Sequence, residues 1–599
     1  MIAPSSGRLT QSLALQSNVS YEILARQTTD GVNVPMQIGS GKFAKVYKAW
    51  QRSARRNVRP VAIKVLHDHA SLADERLFKQ EIDLLKELTT VSTVHVIHTL
   101  DIVHLPPLAM CACGVLYTPL CPRGCGHALS RLERPGHDYP LLHCPRCGFE
   151  LSGEDIQQRA ADLVRPPAKT CCAHIPLRAN RGTLVNFVDR ESVVMELVEH
   201  GLPDFAALQQ QGLAQIGASG AYSAQAVRPP TSLAALRRRV ERRLWPERPG
   251  YLAQRVVLLQ KLYVMVQLAE AVAWLHSEKK IVHKDLAPDN IMIAAIDGVA
   301  GLTDWRGEAV RELQERLRGR ASFPSFDLKV IDFGLADKDE LSRSWYEEQD
   351  VLASAIKLPY LSPEARRRKE RVSEPLDISA ESPCFTVPNN LWGTYLSVLP
   401  GDLVADINDT RHDHDLEITR VEPDGRGGAL AYFQGTPAPR PAGQKYELVR
   451  RLGEPHDIYS VGALFYFILT GKHEEVDRLS SLVTLLQEDS GRSLSTTALR
   501  LDQYYLGRRN AIPEPFLRDE LMLLMLRAMV RGRPESFVAS RVDRGPAAAQ
   551  ALLGETRRIY HLLEDELVAA GVKGRAMRTL LIAAPTAFLL GMLLGTRGC

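Results

Sequence analysis

The chain has 599 residues, of which 45% are hydrophobic and 24% charged, with a formal net charge of +4. These are ordinary globular values for a chain long enough to hold several domains. So small a charge gives no reason to expect a polyanion-binding surface, and nucleic acid is not expected as a partner.

Eight of the 10 Cys lie between Cys111 and Cys172. A disulfide-rich secreted chain would scatter them and start with a signal peptide, and Met1 to Gln16 has no basic start followed by an apolar core. Clustered Cys in a reducing compartment point to metal rather than bridges. Arg outnumbers Lys and Ala is abundant, as in chains from GC-rich bacterial genomes.

In chain order, residues 1–20 are small and polar and read as a flexible arm. From Tyr21 the apolar residues alternate as in strands. Asp74 to Leu88 reads as a helix, with Leu77, Phe78, Ile82, Leu84, Leu85 and Leu88 on one stripe. Residues 106–190 break the pattern with Cys, Pro and Gly, and Ser192 to Val198 is a short apolar strand. A polar stretch follows over 205–250, then a long apolar helix from Arg255 to Ser277 and an extra helix around Arg306 to Leu317. Runs such as DLVADI, LEITRV and ALAYF between Leu391 and Phe433, separated by PGD, NDT and PDGRGG turns, predict a small inserted β-barrel. Helical patterns resume at Asp457.

Six short motifs punctuate this plan. Ile38-Gly39-Ser40-Gly41-Lys42-Phe43-Ala44-Lys45-Val46 is a glycine-rich loop in which backbone can approach phosphate, with Ala44 in place of a third glycine. Val61-Ala62-Ile63-Lys64 lies on a strand, and Glu81 follows on the amphipathic helix. His283-Lys284-Asp285-Leu286-Ala287-Pro288-Asp289-Asn290 follows the long helix. Lys329-Val330-Ile331-Asp332-Phe333-Gly334 is an apolar strand ending in Asp-Phe-Gly. Pro359-Tyr360-Leu361-Ser362-Pro363-Glu364 and Asp457-Ile458-Tyr459-Ser460-Val461-Gly462 complete the series.

Each motif alone is weak, but the ordered set, spread over roughly residues 21–560, resembles the eukaryotic-like (Hanks-type) serine/threonine protein kinases. The resemblance implies an ATP-dependent phosphotransferase acting on proteins, itself included. Lys64 paired with Glu81 would hold the phosphates, Asp285 would take the hydroxyl proton, and Asn290 and Asp332 would bind Mg²⁺. Ile38, Gly39, Ser40, Gly41, Val46, Ala62 and Met292 would enclose ATP, with Met195 as gatekeeper and Glu196 and Val198 offering backbone groups to adenine. Asp457 would be structural.

Some positions depart from the pattern. Lys284 replaces the usual Arg, Ala287 the Lys of the Ser/Thr class and Lys357 its Thr, while Asp289 stands where tyrosine kinases carry an Arg. Two other readings stay open: a nucleotide-binding pseudokinase scaffold, and a kinase of small molecules.

Two features lie outside the motifs. Cys121-Pro-Arg-Gly-Cys125 and Cys144-Pro-Arg-Cys147 are knuckles 18 residues apart, a spacing that suits tetrahedral Zn²⁺ in a zinc ribbon serving as a folding staple. Cys111, Cys113, Cys171, Cys172 and His174 bracket it as a candidate second site. Thr579 to Gly595 is a 17-residue run without charge behind Lys573, Arg575 and Arg578, which predicts a tail anchor with the catalytic body cytoplasmic. Gly591 and Gly595 form a G-x-x-x-G pair that would allow a homodimer.

The expected fold class is therefore α+β, a bilobal protein-kinase fold. Residues 1–20 would be an arm and 21–200 a small lobe with a zinc-ribbon insertion at 106–190. Residues 201–570 would be a large lobe with a β-rich insertion at 366–450, and 577–596 a transmembrane helix.

Overall fold

In the computed structural model the described residues run from Leu13 to Asp565. The stretches 15–18, 42–43, 54–57, 90–94, 133–140, 152–182, 187–189, 206–248, 296–325, 339–356, 372–377, 388–397, 407–415, 436–445, 489–492, 506–514, 539–546 and 566–599 lie outside the description, with shorter gaps between them. The helix expected at Arg306 to Leu317, the segment 577–596 and the residues Cys113, Cys171, Cys172 and His174 therefore fall outside it. The chain divides into two compact units. The first holds Met1–Glu199, Ile331–Ala336 and Arg343–Val351, and the second holds the remainder. The Asp-Phe-Gly segment thus belongs with the first unit, across the expected division at residue 200.

The first unit is built on an antiparallel sheet. Its strand order is Leu13–Ala14, Val19–Ile23, Ala44–Ser53, Val58–Leu66, Arg190–Glu196 and Thr99–Leu105, with Gln37–Ser40 paired to Ala44–Ser53. The sheet begins inside the segment expected to be a loose arm, since Leu13 pairs with Tyr21. Alternation puts Tyr47, Ala49, Val61, Ile63 and Val65 into one core. The helix Leu72–Thr89 starts with a reciprocal cap, in which Ser71 N–H donates to Asp74 Oδ2 at 2.9 Å and Asp74 N–H to Ser71 Oγ at 3.1 Å. Its buried stripe of Leu77, Phe78, Ile82, Leu85 and Leu88 carries Glu81 inward with it.

The cysteine-rich insertion hangs from two neighbouring strands, because Arg190 pairs directly with Leu105. It contains two small three-stranded sheets, one of Leu108–Met110, Leu116–Tyr117 and Thr183–Asn186, the other of Ser130–Leu132, Leu141–His143 and Glu150–Leu151.

The second unit is mainly helical. Its central helix, Glu454–Thr470, is apolar on every side and almost wholly buried. It ends at Gly471, whose φ of 69° is the left-handed conformation of a glycine cap, with its N–H donating to the Phe467 carbonyl at 2.6 Å. The buried Lys261 donates to the Leu469 carbonyl at 2.6 Å, giving a cation to the negative end of that helix. Among the described residues one helix, Val257–Lys279, is long and apolar enough to cross a membrane, and 78% of its apolar window is buried inside the protein.

Gly462 sits where the central helix meets Pro515–Met529. A Cβ there would lie 2.7 Å from Met529 Cγ and 2.9 Å from Ala528 Cβ. Gly462→Ala should therefore destabilise the protein by about 1–3 kcal/mol despite the better helix propensity of Ala, seen as a lower thermal midpoint.

The β-rich insertion is a six-stranded antiparallel sheet in the order Lys369–Arg371, Tyr446–Val449, Leu403–Asp406, Leu416–Pro423, Ala429–Gln434 and Cys384–Val387. It buries its own core of Ile378, Phe385, Val387, Val404, Leu416, Ile418 and Leu448. Among the described residues the path is open rather than the closed barrel expected, since no pairing joins Lys369–Arg371 to Cys384–Val387. The ends of the PDGRGG segment meet, with Gly428 N–H donating to Asp424 Oδ1 at 2.8 Å.

Candidate active site

In the first unit the two arms of the glycine-rich segment, Gln37–Ser40 and the start of Ala44–Ser53, pair antiparallel. Gly39 faces Val46, and Gly41 N–H donates to the Ala44 carbonyl at 2.9 Å. Among the described residues a Cβ on Gly39 or Gly41 would meet nothing nearer than 3.6 Å, so their packing does not demand glycine at either position. His67, which the sequence reading did not single out, pins the segment through a 3.0 Å contact with the Gly41 carbonyl. Ile38 is exposed, Ser40 is exposed, Val46 is half-buried and Ala62 is buried.

Lys64 lies on the strand Val58–Leu66, where it pairs directly with Val193. Its Nζ is 2.6 Å from Glu81 Oε1, 2.8 Å from Glu81 Oε2 and 2.8 Å from Asp332 Oδ1. Burial works against the ammonium, but the charges of Asp332 and Glu81 outweigh it and hold its pKa above the ordinary lysine value. Burial pushes Glu81 up, and Lys64 opposes that rise only in part. Asp332 has φ of 62°, a left-handed conformation that is strained for Asp, and the next residue, Phe333, is buried. Phe333 N–H also donates to the Glu81 carboxylate, so the Asp-Phe-Gly turn is held through both Lys64 and Glu81. Glu196 is locked to its neighbour. Its N–H donates to the His98 carbonyl at 3.0 Å and its Oε1 accepts from His98 N–H at 2.8 Å. Val198 is buried and Met195 half-buried.

In the second unit Asp285 lies between the strands Ile281–Val282 and Ile291–Ala295. Asp457, wholly buried, accepts from His283 N–H at 2.7 Å, from Lys284 N–H at 2.9 Å and from His276 Nε2 at 2.9 Å. Burial opposes its charge, yet the His276 bond and the nearby His283 and His456 keep its pKa below the usual carboxylate range. Lys284 is held at φ of 64° by a second partner, since its carbonyl accepts from His456 Nε2 at 2.9 Å. Burial pulls His456 down to about 4, so the ring is neutral near pH 7. With Nε2 donating to Lys284, Nδ1 is the acceptor for Ser362 Oγ at 2.9 Å. The backbone just before Asp285 is thus fixed at both N–H and C=O.

Asn290 Nδ2 donates to the Asp285 carbonyl at 2.7 Å and to its Oδ2 at 2.9 Å. Lys357 Nζ lies 2.5 Å from the same Oδ2. Met292, half-buried, pairs with Gly201. Glu364 forms a buried 2.6 Å ion pair with Arg531. Sequence reading missed Arg531, His276 and His456. Only the adjacency of His456 to Asp457 hinted at one of them.

Cys121, Cys125, Cys144 and Cys147 bring their sulfurs within 4.8 Å of one another. Separations of 3.1, 3.6 and 3.8 Å exclude disulfides and approach the ~3.8 Å edge of a tetrahedron with ~2.3 Å Zn–S bonds. Gly148, at φ of 65°, closes the second knuckle with its N–H on the Cys144 carbonyl at 3.0 Å. Burial disfavours the Cys144 thiolate, but bonds from Cys125 and from the Cys147 and Arg146 N–H groups bring it down to about 6, whereas burial pushes Cys121 up to about 12, so the fit to a metal rests on the sulfur geometry. These four thiols therefore fit a metal that takes thiolate ligands.

No curated protein matches the chain. Residues 32–120 and 179–379 match the family model described as protein tyrosine and serine/threonine kinase, skipping most of the cysteine-rich insertion. With the ordered motifs and the geometry of Lys64 and Glu81 in the first unit and of Asp285 and Asn290 in the second, this match supports a kinase domain over those residues, similar to the protein tyrosine and serine/threonine kinase family.

Proposed function

We propose that the chain is an active ATP-dependent protein kinase directed to Ser and Thr hydroxyls, its own included. The observation that carries the reading is the bidentate pair of Lys64 with Glu81, at 2.6 and 2.8 Å, joined by Asp332. An ammonium held between two carboxylates is oriented to meet the α- and β-phosphates of ATP. Glycines that packing among the described residues does not require suit a backbone that approaches those phosphates.

In the reaction Asp285 accepts the proton of the acceptor hydroxyl as its oxygen bonds to the γ-phosphorus. The bond from that phosphorus to the β,γ-bridging oxygen breaks, and ADP leaves with it. Asn290 and Asp332 are the residues assigned to Mg²⁺, which would neutralise phosphate charge. Asp289, where tyrosine kinases carry an Arg, supports the Ser/Thr assignment. Purified protein given labelled ATP and Mg²⁺ should transfer phosphate to itself and to a generic acceptor, and mass spectrometry should map it to Ser or Thr. Phosphotyrosine alone would overturn the specificity, and a phosphorylated small molecule in place of protein would overturn the substrate class.

The cysteine cluster serves as a structural zinc site in the small lobe, and the uncharged run Thr579 to Gly595 as a membrane anchor that leaves the kinase cytoplasmic. Removing residues 577–599 should move the protein from the membrane fraction to the soluble one. An unchanged distribution on fractionation would sink the anchor.

A further inference from the structure

The catalytic loop carries no cation of its own past Lys284, because position 287 is Ala and position 289 is Asp. A cation nevertheless stands beside Asp285. Lys357 Nζ lies 2.5 Å from Asp285 Oδ2, with side chains 19% and 6% exposed. Asn290 Nδ2 donates to that same oxygen at 2.9 Å. Two donors from different directions fix the rotation of a carboxylate that one alone would leave loose. Shielding from solvent also spares the pair the screening that makes surface ion pairs weak.

Lys357 is 72 residues from Asp285 in sequence, yet both are tied to one helix. Lys357 directly precedes the turn Leu358–Tyr360, where the Tyr360 carbonyl accepts from Ser460 Oγ at 2.8 Å. Two residues on from Tyr360, Ser362 is bonded to His456. The catalytic loop is held by Asp457 and His456. Ser460, His456 and Asp457 all belong to the central helix Glu454–Thr470. The ammonium and the carboxylate are therefore set by a common buried frame.

We propose that Lys357 is a positioning residue for phosphate transfer: from outside the catalytic loop it supplies the cation that orients Asp285, which the loop lacks at Ala287 and Asp289. The proposal rests on the kinase reading above. It also links two departures from the family pattern, the Lys absent at 287 and the Lys present at 357 beside the Asp285 carboxylate.

The test compares full-length wild type with Lys357→Thr, Lys357→Met, Lys357→Arg and the double variant Lys357→Thr/Ala287→Lys, measuring kcat and the KM for ATP. Thermal midpoints control for folding, and Lys357→Met, nearer in length, stands in if Lys357→Thr melts early. Phosphoryl transfer depends on positioning, so the neutral variants should lose about 100-fold in kcat while KM for ATP stays within about threefold. Returning a Lys at 287 should recover at least about tenfold of that loss, as should Lys357→Arg, because each restores a cation beside the carboxylate. A folded neutral variant with kcat at or above the wild-type value would overturn the proposal and mark the contact as inhibitory. So would a loss that neither Ala287→Lys nor Lys357→Arg repairs, which would mark a merely structural role. A wild type that transfers no phosphate removes the kinase reading and this proposal together, whereas an active wild type beside unaffected variants removes this proposal alone.

Discussion

Asp285→Asn is expected to cut phosphate transfer by about 10³-fold, the middle of the range for loss of a positioned general base. The substitution is chosen because it changes charge and basicity while keeping shape. An Asn side chain keeps an acceptor oxygen for Asn290 or Lys357, which now share Oδ2 at 2.9 and 2.5 Å. The backbone on either side is fixed independently, through Asp457 and His456 before it and through the Asn290 bond to its carbonyl at it. The fold should therefore survive, with a stability change of about 1–2 kcal/mol at most. Nucleotide binding should also survive, because the Lys64, Glu81 and Asp332 cluster is untouched. The measurement is incorporation of labelled phosphate, set against the thermal midpoint and nucleotide affinity of the same preparation. An Asp285→Asn protein that transfers phosphate at the wild-type rate would end the assignment of Asp285 as the base. If transfer disappeared together with folding, Asp285→Glu would separate the two effects.

What the sequence made legible, and what it hid, follows from the range of the interactions. Lys64, Asp285, Asn290 and Asp332 were readable because each sits in a short linear motif whose neighbours fix its local geometry, and Glu81 because it lies on the amphipathic helix that follows Lys64. The helix under Glu81 was readable for the same reason, since its apolar stripe and its Ser71–Asp74 cap are local. The framework behind Asp285 was not. His276 meets Asp457 across 181 residues and His456 meets Lys284 across 172, and no periodicity encodes such pairs. Strands Lys369–Arg371 and Cys384–Val387 escaped notice because three or four residues cannot display an alternation. Nor does the sequence show that Ile331–Ala336 groups with a unit more than 100 residues before it, where Lys64 bonds Asp332.

Removing the metal ligands should have the largest effect on stability. Cys144→Ser with Cys147→Ser should take bound zinc from about one per chain to none, as measured by elemental analysis. Among the described residues the insertion buries Ala109, Cys111, Leu129, Leu142 and Leu151 around the knuckle cysteines. A structural zinc site contributes about 10–16 kcal/mol in small metal-dependent domains, far more than burial of any one of these side chains. The damage should not stay local. Leu108, Met110, Leu116 and Val185, at the base of the insertion, share one buried cluster with Tyr47, Ile63 and Val65 of the main sheet. Exposing each of them forfeits about 1.5–3 kcal/mol. That sheet also carries Lys64. The double variant should thus show early proteolysis within 106–190, a lower thermal midpoint and weaker nucleotide binding, in that order of sensitivity. Wild-type protein stripped by a strong chelator should show the same three changes and recover on zinc addition. If the stripped protein kept its protease resistance and thermal midpoint, the four thiols would be packing groups and the staple assignment would be wrong.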